Sequence, residues 1–212
     1  MPAAQSTVRN QRAADDLRKS IAQAAARLIA EGLNDYQAAK RKAAKLHGEI
    51  NCRVLPDDHE IESALRAHLE LFEPNSQPRV LSTLRSTAIR AMSRLARFSP
   101  WLVGSVLNGS ATRFSEIELE LVAVAPKEFE HYLLNAGTRF EQCETHCRKG
   151  GSSGRKLPAA KYRLDFDGTT VTIALYEHHG ARQRAHPANS IRHDRAQRAD
   201  AERRFEVVNT KS

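Results

Sequence analysis

The hydrophobic period of this chain changes at Ser99-Pro100, and that change limits what it can fold into. Up to Phe98 the apolar residues recur three and four apart, as on helix faces; from Trp101 they alternate in twos, as in half-buried strands. An α+β protein is expected, helical in its first half and sheet-forming in its second. Leu17, Ile21, Ala24 and Leu28 make one stripe of a helix from Arg12 to Glu31, which Gly32 stops. Asn34 or Asp35 caps a second helix with Tyr36, Ala39, Ala43 and Leu46 on one side, and Gly48 ends it. Asp57-Asp58 opens a third, with Ile61, Leu65, Leu69 and Phe72 inward. A fourth runs from Gln77 to Phe98 on Leu81, Leu84, Ala88, Met92 and Leu95, with Arg79, Arg85, Arg90, Arg94 and Arg97 on its flanks. That helix is expected to pack on the sheet. The domain limits are therefore set at 1–76 for a helical region, 77–180 for an α/β domain and 181–212 for a basic tail.

In the second half, strands are expected over Trp101 to Leu107, Glu116 to Val124, Thr138 to Cys147, Tyr162 to Phe166 and Thr170 to Tyr176. Pro126 to Asn135 reads as a helix with proline in its first turn. Asp167-Gly168 between two strands is a two-residue hairpin signal. Gly150, Gly151 and Gly154 among cations mark a loop, and the tail offers a solvated helix from Ser190 to Phe205.

A hydrophobic content of 41% and charged content of 27% over 212 residues suit a folded globular protein. The net charge of +8 favours acidic partners, nucleic acid and nucleotides among them. No apolar stretch approaches a membrane span, so no membrane partner is expected. Three cysteines give no disulfide framework, which fits a cytoplasmic protein.

The chemistry concentrates between Leu102 and Leu121. A Gly-Ser turn follows a short apolar strand, and Glu116 and Glu118, two apart, share one face of the next strand. A turn that holds phosphates beside paired carboxylates that hold a dication is the minimum equipment for phosphoryl or nucleotidyl transfer. Gly104-Ser105, Gly109 and Ser115-Glu116-Ile117-Glu118-Leu119 resemble the signature of the polymerase-β-like nucleotidyltransferase superfamily, a Gly-Ser pair, a later Gly and a Ser-Asp-hydrophobic-Asp strand. Here both Asp positions hold Glu. The chain also resembles uncharacterised bacterial proteins with a helical segment before a degenerate nucleotidyltransferase-like domain.

The resemblance implies a mixed β-sheet flanked by helices, with Gly104, Ser105 and Gly109 binding an NTP and Glu116 and Glu118 holding catalytic Mg²⁺. It also implies a third carboxylate on a later strand, where Val171-Thr172-Ile173 offers a hydroxyl instead; Asp165 and Asp167 stand on the strand before. Two functions follow: Mg²⁺-dependent nucleotidyl transfer to an unknown acceptor, or an inactive fold that serves as a nucleic-acid- or protein-binding module. Against both stands a plainer arrangement, in which Glu116, Glu118 and Glu120 are the wet face of an edge strand.

Two other groups carry less. Cys143, His146 and Cys147, with His178, His179 or His186, would make an unusual zinc set, and packed thiols explain the cysteines as well. Lys40, Arg41, Lys42 and Lys45 form a run free of acids between Asp35 and Glu49, a better nucleic-acid candidate than the charge-mixed tail, although a solvated face gives the same pattern. Aromatics total 6% and do not alternate with cations, so a base-stacking platform is not expected.

Overall fold

The computed structural model describes residues 3–48, 54–122, 125–143, 158–176 and 195–209. The chain forms two compact units, Met1–Val80 with Ser110–Ser115, and Leu81–Gly109 with Glu116–Ser212.

The first unit is built on α1 (Ala3–Ala30), α2 (Tyr36–Leu46) and α3 (Asp58–Phe72). Both α2 and α3 pack on α1. Ile21, Ala25, Ala26 and Ile29 of α1 meet Ala39 and Ala43 of α2 and Ile61 and Leu65 of α3 in the core. The alanines let the backbones approach closely, and the larger Ile and Leu fill the layer on the α3 side. Local chemistry sets the boundaries. Asp35 accepts the amides of Gln37 and Ala38 to start α2. Asp57 and Glu60 form a reciprocal capping box that starts α3. Lys40, on the buried side of α2, reaches Asp58 at 3.0 Å.

Leu46 and Phe72, expected to face inward, are instead 63% and 65% exposed. Each is the last residue of its helix, beyond the turn that the neighbouring helix covers. The inserted segment 110–115 is tied down by short bonds. Thr112 donates its amide to Ser115 Oγ at 3.0 Å, Asn34 Nδ2 donates to the Phe114 carbonyl at 2.9 Å, and Gln77 Nε2 to that of Ala111 at 3.2 Å.

Among the described residues the second unit holds a six-stranded mixed sheet. Helix α4 (Gln77–Arg94) enters it, and a 3₁₀ turn (Ala96–Phe98) leads to β1 (Trp101–Val103) and the single-turn helix α5 (Ser105–Asn108). Then come β2 (Ile117–Val122), α6 (Pro126–Asn135), β3 (Phe140–Cys143), β4 (Ala160–Phe166), β5 (Thr169–Tyr176), β6 (Arg195–Ala196) and α7 (Arg198–Asn209). The strand order is β3-β4-β5-β2-β1-β6, with β2 parallel to β5 and the other pairs antiparallel.

Alternation puts Ile117, Leu119, Leu121, Tyr162, Leu164, Val171, Ile173 and Leu175 on one fully covered face. Ala91 of α4, Leu95 just past its end and Leu133 of α6 close over Leu164 and Val171, leaving a gap of about 20 Å³. Phe129 of α6 stacks between Phe98 and Tyr162, each 5.4 Å away between ring centres.

Two expectations and one alternative are revised. The strand from Trp101 stops at Val103, because Gly104 turns the chain at φ 76° and α5 begins. β2 lies inside the sheet between β5 and β1, not at an edge. The tail helix starts at Arg198, after β6 has joined β1, and its Ala201 and Phe205 are buried four residues apart, so it is no free solvated segment. The Asp167-Gly168 hairpin forms as expected. Both residues have positive φ, 53° and 75°, the type I′ signature.

Candidate functional site

Sheet register assembles the site. Glu118 of β2 stands opposite Val103 of β1 on one side and Thr172 of β5 on the other, and Thr172 stands opposite Arg163 of β4. Directly opposed residues in a sheet share a face, so Val103, Glu118, Thr172 and Arg163 form one row across four strands on the face away from the covered core. Glu116, one residue before β2, lies on that face as well.

The Glu116 carboxylate is engaged at both oxygens. Arg163 Nη2 donates to Oε1 at 2.9 Å, and Thr172 Oγ1 donates to Oε2 at 2.6 Å. The Glu116 side chain is 27% exposed and that of Arg163 49%, so the pair sits at the rim of the sheet, half in water. Glu118 is also half-buried, and Glu120 is buried.

The Gly-Ser turn is a single helical turn. Gly104 precedes it at φ 76°, ψ −158°, a combination open to glycine and hardly to any residue with a Cβ. Ser105 is the first residue of α5 and half-buried. The amides of Leu107 and Asn108 return to the Gly104 carbonyl, and that of Gly109 to Ser105. Gly109 ends the turn at φ 87°. α5 packs beside β1 and β2, so Gly104, Ser105 and Gly109 are brought to the strand that carries Glu118.

Arg85 of α4 supports the turn from below. Its Nε donates to the Val106 carbonyl at 3.3 Å, and its guanidinium lies 4.4 Å over the Phe205 ring. Burial pulls its pKa down from the usual arginine value, because the charged form loses hydration there.

From the sequence Arg85 falls on a helix flank, and Arg163 has no assigned role. Arg163 was nevertheless within reach of the sequence: the two-residue hairpin at Asp167-Gly168 fixes the pairing of β4 with β5, and counting back from the turn puts Arg163 across from Thr172. Asp167 itself is drawn to Arg90 at 2.8 Å, and Asp165 stands opposite Thr170. Cys143 is a free thiol, half-exposed at the end of β3. His146, Cys147, His178, His179 and His186, the remaining members of the zinc set, lie outside the described residues, as do Cys52 and the glycine-rich loop.

Among the described residues no group of three His, Cys, Asp or Glu is placed to hold a metal ion. None of the described helices is long and apolar enough to cross a membrane. No protein-family model, no curated protein and no solved structure matches the chain.

Proposed function

We propose that the second unit is a nucleotidyltransferase-like domain whose acid cluster has become an internal Glu116–Arg163–Thr172 network. On this reading the chain works as a binding protein, for nucleic acid or a protein partner, and not as a Mg²⁺-dependent transferase. One observation carries the reading: the Arg163 guanidinium on Glu116 at 2.9 Å. In the resembled family that carboxylate faces a dication; here it faces an organic cation.

The donor set does not fit Mg²⁺. That ion asks for near-octahedral oxygen donors at about 2.0–2.1 Å and sheds water reluctantly. Thr172 stands opposite Glu118 where a third carboxylate is implied, and its hydroxyl spends its proton on Glu116. A neutral hydroxyl supplies no charge to offset a dication and no general base for an acceptor. The phosphate side is also reduced, since α5 has four residues and a single turn has little of the dipole that favours anions at longer helices.

The test is direct. Purified protein is incubated with each of the four labelled NTPs and Mg²⁺ or Mn²⁺, beside a Glu116→Ala variant. The expected outcome is no pyrophosphate release above background in either protein and no metal-dependent NTP heat in calorimetry. Metal-dependent pyrophosphate release that disappears in Glu116→Ala overturns the reading and restores the transferase.

A further inference from the structure

The helical unit presents one cationic surface that, among the described residues, no carboxylate compensates. α2 reads Tyr-Gln-Ala-Ala-Lys-Arg-Lys-Ala-Ala-Lys-Leu and contains no acid. Ala39, Lys40, Ala43 and Ala44 face the core. The outward stripe is therefore Ala38, Arg41, Lys42 and Lys45, in which Arg41 and Lys42 lie three and four residues after Ala38 and Lys45 lies four and three after them, with all three cations exposed.

The other cations of this unit are mostly partnered. Arg18 meets Asp15 and Glu60, Arg27 meets Glu31 at 3.9 Å, Arg66 meets Glu62 at 4.0 Å, and Lys40 turns inward to Asp58. Asp35, the last acid before the stripe in sequence, spends its side chain on the amides that start the helix. Among the described residues no ion pair reaches Arg41, Lys42 or Lys45. The positive charge of α2 therefore points outward, on a protein that already carries +8.

We propose that this stripe docks on duplex DNA, with Arg41, Lys42 and Lys45 against backbone phosphates. Three features favour a duplex over other polyanions. A helix of 11 residues is about 16 Å long, and B-form DNA has a major groove about 12 Å wide that admits a helix. The narrow deep groove of A-form RNA does not admit one. The stripe has no aromatic residue on which single-stranded bases would stack, and Ala38 at its first position leaves room for close approach. Binding of this kind is electrostatic and reads no sequence. It goes beyond the lost cation chemistry of the second unit by naming the partner and the residues, and it rests on the binding half of that reading.

The experiment measures fluorescence anisotropy of labelled duplex DNA with the full chain, against single-stranded DNA, duplex RNA and single-stranded RNA. The comparison proteins are Arg41→Gln/Lys42→Gln/Lys45→Gln and, as a control on α3, Arg66→Gln. Glutamine keeps helix propensity, and circular dichroism checks the fold. The wild type is expected to prefer duplex DNA, with affinity falling steeply as salt rises. The triple variant should bind at least about tenfold more weakly, and its log–log salt slope should be shallower by about 2.7, the counterion release of three phosphate contacts. Arg66→Gln should bind as wild type.

Should the triple variant lose helicity, each single variant carries the test with a slope change of about 0.9. Equal binding by wild type and stripe variants overturns the proposal. So does tighter binding to RNA of either form. Pyrophosphate release by a protein that still binds DNA through α2 would sink the pseudoenzyme reading alone, so the two failures are separable.

Discussion

Removing either member of the Glu116–Arg163 pair measures how far the acid cluster has become structural. At 2.9 Å and an effective dielectric constant near 20, two unit charges attract by about 6 kcal/mol before desolvation. Most of that is offset. Arg163 keeps about half its side-chain surface in water and Glu116 about a quarter, so each is well hydrated when apart. Exposed pairs net about 0.2–1 kcal/mol, and hydrogen bonds to charged groups about 1.5–3 kcal/mol. A partly buried pair with a single bond from the guanidinium and a second bond from Thr172 falls between, and we expect a coupling energy of about 1 kcal/mol.

The assay is a double-mutant cycle of Glu116→Ala, Arg163→Ala and both together, by urea unfolding. Trp101 is the only tryptophan in the chain and lies on β1 of the same sheet, with the Arg195 guanidinium 5.0 Å over its ring. Its fluorescence therefore reports the second unit without interference from the helical one. Adding 1 M NaCl should reduce the coupling, because screening acts on the exposed half of the pair. A coupling below about 0.3 kcal/mol at low salt would mean that Arg163 only rests beside Glu116. The case against a cation site would then lose its main support.

Two further outcomes follow from the same unit. Gly104→Ala forces a Cβ into φ 76°, ψ −158° and should cost about 1–3 kcal/mol in the same unfolding assay; an unchanged midpoint would show that the turn is not held there. Tyr162 is fully buried, and its phenol is pushed well above its ordinary pKa, by burial first and then by the hydrogen bond and charge of Glu130, whose Oε1 accepts its proton at 2.6 Å. The folded protein thus keeps a proton that the unfolded chain loses above about pH 10. Stability from this group is full below that pH and falls above it by up to about 1.4 kcal/mol per pH unit. Tyr162→Phe should flatten the alkaline limb of a stability–pH profile, and equal limbs would refute the assignment.

The helical half was legible because its signals are local. Asp35, Asp57 and Glu60 cap where they stand, and Ile61, Leu65 and Leu69 need only the 3.6-residue period to declare a face. Leu46 and Phe72 were misread because periodicity cannot tell how far a neighbouring helix extends. In the sheet, alternation gave the faces, but strand neighbours at long separation in sequence left no local trace. Alternation alone leaves β2 readable as an edge strand until β5 is known to lie parallel beside it, 54 residues downstream by the Glu118–Thr172 pairing. Glu116 and Glu118 were found from their spacing; that Arg163 and Thr172 would answer Glu116 depends on that one long-range pairing. The tail looks solvated in sequence because Arg-rich composition masks the two inward residues, Ala201 and Phe205.

The chain leaves the helical unit after Val80, returns for Ser110–Ser115, and leaves again. No single scission can therefore divide the protein into its two halves. A fragment ending at residue 80 would forfeit the Phe114 and Ala111 carbonyls that Asn34 and Gln77 grip. A fragment beginning at 81 would carry six residues stranded from their packing. Anyone dissecting this molecule by truncation or limited proteolysis should expect frayed pieces, and should probe each half by point substitution in the intact polypeptide.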